Sequence, residues 1–285
     1  MGKVYRDYSH DELEGLYNQR ERISGYDDYP VRWLDQSNSA RTALEMIPDI
    51  TYGPDPLESY DFFPASPGSP IQIFFHGGYW YSQDKINFEF MAPLFVENGI
   101  SFVGVNYPLC PQSTMGNLLN SCRKMLVHLS QNIKDYVAEP GAFHLAGHSA
   151  GGHIAVFLAS TDWKQNGYEI SPPIKSTLSI SGIFDLQPVV YLERNKEIGL
   201  NQNDVDQFSP VNIISSFTGK LLLAVGSNEG IEFLRQTQDF AKLMNLKGNE
   251  CQDIVLQGAN HFSILDHYSN ADGELFHLVK KMVYE

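Results

Sequence analysis

Short apolar runs alternate with longer stretches of helical periodicity along the middle of this chain. Residues 71–75 (IQIFF), 142–146 (AFHLA) and 220–226 (KLLLAVG) are compact apolar runs of the kind that form buried strands. Residues 115–136 instead repeat their apolar side chains at helical spacing. Strands that alternate with helices indicate a mostly parallel sheet joined by right-handed crossovers. We therefore expect an α/β fold in which helices flank a central sheet.

The two irregular parts of the pattern lie near the start of the chain and after its middle. Residues 8–48 are expected to be largely helical, with an acidic first turn and a break near Pro30. Residues 185–216 are rich in Asn, Asp and Gln and precede the apolar run at 220–226. The chain has 285 residues, 42% of them hydrophobic. We expect a single domain spanning residues 1–285, with 185–216 inserted as small cap elements.

A G-x-S-x-G motif centred on Ser149 links the apolar run at 142–146 to an apolar helical stretch at 154–159. This spacing, between a strand and a helix, is typical of the nucleophile elbow of α/β-hydrolases. The serine must project from a sharp turn, which explains the small side chains around it. The motif therefore predicts an α/β-hydrolase fold with Ser149 as the nucleophile.

A second motif, H-G-G-Y-W, follows the predicted strand at 71–75. This is the position at which an α/β-hydrolase builds half of its oxyanion hole. Backbone N–H groups of Gly77 or Gly78, together with that of Ala150, would stabilise the developing negative charge. Because Tyr79, Trp80 and Phe262 stand next to the predicted catalytic loops, we interpret them as candidate aryl-binding residues.

A base and an acid are expected after the last two strands, because the chain order in this fold is serine, acid, histidine. His261 is the one histidine that lies both downstream of Ser149 and just past a predicted strand, at 253–257. Glu229 follows the strand at 220–226 and is the first choice for the acid. Glu232, one helical turn later, and Asp185, after the preceding strand, remain alternatives.

The chain resembles the kynurenine formamidases (arylformamidases), α/β-hydrolases close to the esterases of the hormone-sensitive-lipase type. The resemblance is carried by Y-N-Q-R at 17–20, H-G-G-Y-W at 76–80, S-G-I-F-D-L at 181–186, the 229–236 segment and His261-Phe262. It implies Ser149, Glu229 and His261 as the catalytic residues. Two departures stand out: the acid is often Asp in this group, and lipase-like esterases usually carry G-D-S-A-G-G where this chain has G-H-S-A-G-G.

These motifs predict a serine hydrolase that cleaves a small amide or ester through an acyl-enzyme. The resemblance favours an arylformamidase-like amidase acting on an aromatic substrate of the N-formylkynurenine type. A carboxylesterase acting on small acyl esters is the alternative, because both reactions use the same machinery. A catalytically inactive hydrolase scaffold that serves as a binding protein is a third hypothesis.

Composition limits the classes of binding partner and the cellular compartment that we expect for this protein. A formal net charge of −14 argues against nucleic acid and anionic membrane surfaces as partners. The chain lacks an uninterrupted apolar stretch of membrane-spanning length and an apolar signal-peptide core at its start. Its three cysteines have no metal-like spacing and are interpreted as free thiols in a reducing, cytoplasmic compartment. We expect no metal or organic cofactor, and a homo-oligomer is compatible with the sequence.

Overall fold

The computed structural model describes residues 2–214 and 217–285, in which eight strands form one sheet. The strands run in the spatial order β1-β2-β4-β3-β5-β6-β7-β8. β1 and β2 pair in antiparallel fashion, as do β2 and β4, and the other neighbours are parallel. The strands are β1 (Ile47–Thr51), β2 (Ser59–Phe63), β3 (Ile71–Phe75), β4 (Ser101–Val105), β5 (Phe143–His148), β6 (Ile174–Ile180), β7 (Lys220–Gly226) and β8 (Cys251–Leu256).

Helices cover both faces of this sheet, and the predicted α/β-hydrolase fold is confirmed. None of the helices in the described part of the chain is long and apolar enough to cross a membrane. The α-helices are α1 (His10–Tyr17), α2 (Gln19–Arg22), α3 (Asp28–Ala43), α4 (Ala92–Glu97), α5 (Met115–Asn132), α6 (Ala150–Ala159), α7 (Asn195–Ile198), α8 (Gln202–Phe208), α9 (Pro210–Ile213), α10 (Ile231–Leu246) and α11 (Glu274–Tyr284). Short 3₁₀ helices span Lys85–Asn87, Glu89–Met91, Ile133–Asp135, Gln187–Tyr191 and Ser263–His267.

The beginning of the chain differs in detail from the largely helical segment expected at 8–48. Its helices end at Ala43, and residues 47 and 48 already belong to β1. The break lies at residues 23–27, and Pro30 sits in the first turn of α3. A proline is tolerated there because the first N–H groups of a helix have no intrahelical acceptor. Proline thus marks the start of a helix here, where the sequence pattern was interpreted as a break.

The irregular stretch expected at 185–216 consists of a 3₁₀ helix followed by α7, α8 and α9. Residues 185–214 are called the cap segment below; Ser215 and Ser216 lie outside the described residues. The cap segment is fastened to the helix that follows Ser149, because His153 in α6 donates from Nε2 to the carbonyl oxygen of Phe208 at 2.9 Å. Burial lowers the pKa of His153 to about 4, so the ring is neutral.

Candidate active site

Ser149 stands between β5 and α6, where the chain turns sharply at the carboxyl edge of the sheet. Its φ of 56° lies in the left-handed region, which a non-glycine residue rarely adopts. Its N–H donates to the carbonyl oxygen of Ile180 in the neighbouring strand at 2.8 Å. A Cβ added to Gly151 would overlap the carbonyl oxygen of Phe75, and one added to Gly147 would overlap that of Gly151. The turn can therefore form only with glycine on either side of the serine.

The loop after β3 lies directly against this turn. A Cβ added to Gly77 would be 3.3 Å from Cβ of Ser149, and Gly78 has a φ of +111°. Within the described residues, neither glycine donates its N–H to a hydrogen bond. Ala150 is the first residue of α6, so its N–H is also without an intrahelical acceptor. Three backbone donors are thus available beside Ser149.

His261 and Glu229 meet at the carboxyl ends of β7 and β8. Nδ1 of His261 is 2.7 Å from Oε2 of Glu229, and both side chains are buried. The other carboxylate oxygen, Oε1, accepts hydrogen bonds from the N–H of Gly226 and the hydroxyl of Ser181, both at 2.6 Å. Ser181 begins the S-G-I-F-D-L segment of the resemblance, but it was not predicted as a site residue. Because the glutamate anchors Nδ1, Nε2 is the ring nitrogen left to face a reacting group.

The two other candidate acids bind elsewhere. Glu232 accepts from Nη2 of Arg235 at 2.8 Å and from the Tyr17 hydroxyl at 3.4 Å. Asp185 accepts from the hydroxyl of Tyr5 at 2.9 Å. Both carboxylates therefore hold residues from the first part of the chain, and the structure brings only Glu229 of the three to His261.

His148, the residue before Ser149, contacts His261. Its Nε2–H donates to the carbonyl oxygen of His261 at 2.7 Å, and the two rings are 4.7 Å apart. Burial, and secondarily the neighbouring His261, hold the pKa of His148 well below the usual range, so its ring is neutral. His148 thus fixes the backbone of His261.

A pocket opens over Ser149, and His148, Ser149 and His261 all line it. Tyr79 and Phe262, two of the three candidate aryl-binding residues, line it. Trp80 does not line it, because its side chain is fully buried below the loop and donates from Nε1 to Nδ1 of His153 at 3.2 Å. The pocket also receives residues from α2, the turn after it, α3 and the cap segment that were not predicted as site residues: Gln19, Arg20, Tyr26, Trp33 and Arg194.

No group of three or more His, Cys, Asp and Glu side chains is placed to hold a metal ion in the described part of the chain. The arrangement around Ser149 instead combines a hydroxyl on a strained turn, a histidine oriented by a carboxylate and free backbone donors. Such a combination can perform acyl transfer without further groups.

Comparison with known proteins gives the family. A protein-family model described as BD-FAE matches residues 63–244. A kynurenine formamidase from Danio rerio is 31% identical, and the alignment covers 98% of each chain. The chain belongs to the kynurenine formamidase family. This member of the family is a hydrolase, as the motifs predicted, and it acts on a small molecule.

Solved structures with the same architecture come from other hydrolases. The structure of a candidate thioesterase from Silicibacter sp. superposes with a TM-score of 0.83 at 21% identity, covering 96% of this chain and 99% of that one. The structure of esterase B from Lactobacillus rhamnosis gives a TM-score of 0.72 at 14% identity, covering 93% and 95%. Because the sequence identities are this low, the structural similarity establishes only that the protein shares the α/β-hydrolase fold.

Proposed function

We propose that this protein is a serine hydrolase that removes a formyl group from an aromatic amine. Ser149 is the nucleophile, His261 the general base and Glu229 the acid that orients it. The observation that carries the proposal is the 2.7 Å contact between Glu229 and Nδ1 of His261, at a pocket that His261 and Ser149 both line. Nε2 of His261 is then available to take the proton of Ser149.

The reaction proceeds in two acyl transfers. Ser149 attacks the carbonyl carbon while its proton passes to Nε2 of His261, and the resulting oxyanion is stabilised by N–H groups of Gly77, Gly78 and Ala150. His261 then gives this proton to the leaving amine as the C–N bond breaks. Water, deprotonated by His261, attacks the acyl-enzyme, and the carboxylate product leaves with Ser149 regenerated.

Two features support a formyl group on an aromatic amine of the N-formylkynurenine type. The relative from Danio rerio, similar over the whole chain, is named a kynurenine formamidase. The pocket walls carry large aromatic side chains, so a flat leaving group can pack against them while little room is left for a bulky acyl group. The aromatic walls are Tyr26, Trp33, Tyr79, Phe88 and Phe262.

A series of acyl groups on one aryl amine tests this proposal. We expect kcat/KM to fall steeply from formyl through acetyl to butyryl, because overfilling a packed site costs ~1–3 kcal/mol. The control is Ser149→Ala, which should lose roughly 10⁴-fold in kcat while remaining folded. A rise in kcat/KM towards butyryl would contradict the formamidase proposal, and faster hydrolysis of the matching aryl esters would favour the alternative, a carboxylesterase.

We also place the enzyme in the cytoplasm. All three cysteines, Cys110, Cys122 and Cys251, are free thiols, which suits a reducing compartment. Burial raises the pKa of Cys110 to about 11 and that of Cys251 to about 12, which keeps these thiols protonated and unreactive. Cell fractionation tests this placement, and recovery of the protein in a secreted fraction would contradict it.

A further inference from the structure

The carboxylate of Glu229 is fully buried, and its two oxygens have separate partners. Oε2 lies 2.7 Å from Nδ1 of His261. Oε1 accepts hydrogen bonds from the hydroxyl of Ser181 and from the N–H of Gly226, both at 2.6 Å. Among the described residues, no lysine or arginine forms an ion pair with this carboxylate. Because a buried charge is costly unless it is hydrogen-bonded, each of these donors matters to the acid.

The main chain of Glu229 is held independently of its carboxylate. Its N–H donates to the carbonyl oxygen of Gly226 at 3.2 Å, and its own carbonyl oxygen accepts from Nε2 of Gln19 at 2.8 Å. The freedom that remains lies in the side-chain torsions, of which a glutamate has one more than an aspartate. Ordering these torsions costs conformational entropy, which contacts at Oε1 offset.

Gly226 supplies one of these contacts because it carries no side chain. A Cβ added at this position would lie 2.4 Å from the carbonyl oxygen of Ala259 and 3.1 Å from Oε1 of Glu229. A substitution at Gly226 would therefore displace the neighbouring loop as well as the carboxylate. Of the two donors to Oε1, the hydroxyl of Ser181 is the one that a side-chain replacement can remove selectively.

Ser181 reaches the carboxylate from a strained backbone conformation. It directly follows β6, is fully buried and has a φ of 53°. Its N–H donates to the carbonyl oxygen of Ala224 in β7 at 2.7 Å. A non-glycine residue in this left-handed region is uncommon, and strain of this kind is often found at functional sites.

Ser149 and Ser181 leave neighbouring strands in the same way. Ser149 directly follows β5 with a φ of 56°, and its N–H donates to the carbonyl oxygen of Ile180 in β6. Ser181 repeats this arrangement one strand further along the sheet, with Ala224 as the acceptor. The same local turn thus presents the nucleophile after β5 and a hydrogen-bond donor to the acid after β6.

We infer that Ser181 is a positioning residue that fixes the Glu229 carboxylate for His261. An ionised carboxylate only accepts hydrogen bonds, so the hydroxyl of Ser181 donates to Oε1 and leaves Oε2 for Nδ1 of His261. Without this hydroxyl, Oε1 keeps a single donor and the carboxylate can rotate away from Nδ1. The inference rests on the catalytic roles proposed above for Glu229 and His261, whichever acyl group the enzyme removes.

Two replacements of Ser181 test this role. Ser181→Ala should lower kcat roughly tenfold, as expected for loss of a hydrogen bond to a charged group. KM should stay nearly unchanged, because Ser181 does not line the pocket. Ser181→Gly should lose as much kcat, although glycine adopts a positive φ without strain. Recovery of wild-type kcat in Ser181→Gly would show that only the backbone conformation matters, and it would overturn the inference.

A double-mutant cycle and a spectroscopic signal show whether Ser181 acts through the carboxylate. In a Glu229→Gln background, Ser181→Ala should cost less than about twofold in kcat, because the carboxylate that it orients is gone. A hydrogen bond to a carboxylate shifts the proton NMR signal of a histidine Nδ1–H far downfield. This signal of His261 should move upfield in Ser181→Ala, and an unchanged signal would contradict the positioning role.

Ser179→Ala is the matched control and should keep the wild-type kcat and NMR signal. Ser179 is also fully buried in β6, but its hydroxyl has no partner among the described residues. Equal losses from Ser181→Ala in both backgrounds would refute the positioning role. A loss of kcat in Glu229→Gln without a loss in Ser181→Ala would overturn this inference alone. Wild-type kcat in Glu229→Gln would overturn the proposed catalytic roles together with it.

Discussion

Three carboxylates follow β6 and β7, and each binds a different partner. Glu229 contacts His261, Glu232 pairs with Arg235, and Asp185 accepts from Tyr5. Sequence spacing alone left all three open as the acid, because each follows a strand that ends at the same edge of the sheet. Which of the three reaches His261 depends on the direction in which each side chain points after its strand. The spacing of residues along the sequence does not give this direction.

At the scale of single residues, we expect Glu229→Gln to cut kcat heavily, by up to roughly 10⁴-fold, because an amide cannot stabilise the imidazolium and favours the wrong tautomer. Glu232→Gln and Asp185→Asn should retain most of kcat and should lose thermal stability instead, since they anchor Tyr17 and Tyr5. Steady-state kinetics and thermal unfolding on the three variants measure both effects. A larger loss of kcat in Glu232→Gln than in Glu229→Gln would move the acid by one helical turn.

At the scale of elements, the sequence predicted the central strands, which depend on local pattern, and the edge at which their loops meet, which depends on strand direction. Apolar runs identified β3, β5 and β7, and parallel strands must bring the loops after them to one edge. The pocket walls could not be predicted in this way. Arg20 and Arg194 are 174 positions apart in the chain, and their approach depends on how α2 and the cap segment pack. Trp80 shows the same limit, because its direction follows from packing on His153.

The first helices of the chain serve the site as well as the fold. Nε2 of Gln19 donates to the carbonyl oxygen of Glu229 at 2.8 Å. The hydroxyl of Tyr79 donates to the carbonyl oxygen of Tyr17 at 2.8 Å. The turn between α1 and α2 therefore connects the loop after β3 with the segment after β7 that carries Glu229. These two contacts, made by Tyr17 and Gln19, give a structural role to the Y-N-Q-R segment at 17–20 through which the chain resembles the family.

At the scale of the whole molecule, a buried charge cluster ties the first part of the chain to the sheet. Arg41 of α3 bridges Asp61 of β2 and Glu89, with both contacts at 2.5 Å. Lys85 approaches Asp61 at 3.2 Å. Burial, and secondarily the neighbouring Asp61, raise the pKa of Glu89 to about 8, so Glu89 is protonated at neutral pH. Two carboxyl groups, both fully buried, can share one arginine because one of them remains neutral.

This protonation makes part of the folding stability depend on pH. The pKa of Glu89 is higher in the folded protein than the ordinary ~4.3 of an unfolded chain, so the folded state binds the extra proton. The stabilisation by the Glu89 proton is fully present at pH values below the pKa of Glu89 in the unfolded chain. It declines as pH rises and is lost once pH passes about 8, the pKa in the folded protein. In Glu89→Gln, the amide is neutral at every pH, so this contribution disappears from the profile.

We therefore expect the free energy of unfolding of wild-type protein minus that of Glu89→Gln to fall between about pH 5 and about pH 8, by at most ~1.4 kcal/mol per pH unit. Above about pH 8 the difference should become flat, because Glu89 is then ionised in both states. Urea titrations across this range measure it. Glu97→Gln, at the exposed end of α4, is the control and should keep the wild-type pH profile. A difference that stays constant with pH would mean that Glu89 is ionised in the folded protein, with Arg41 and Lys85 together neutralising Asp61 and Glu89.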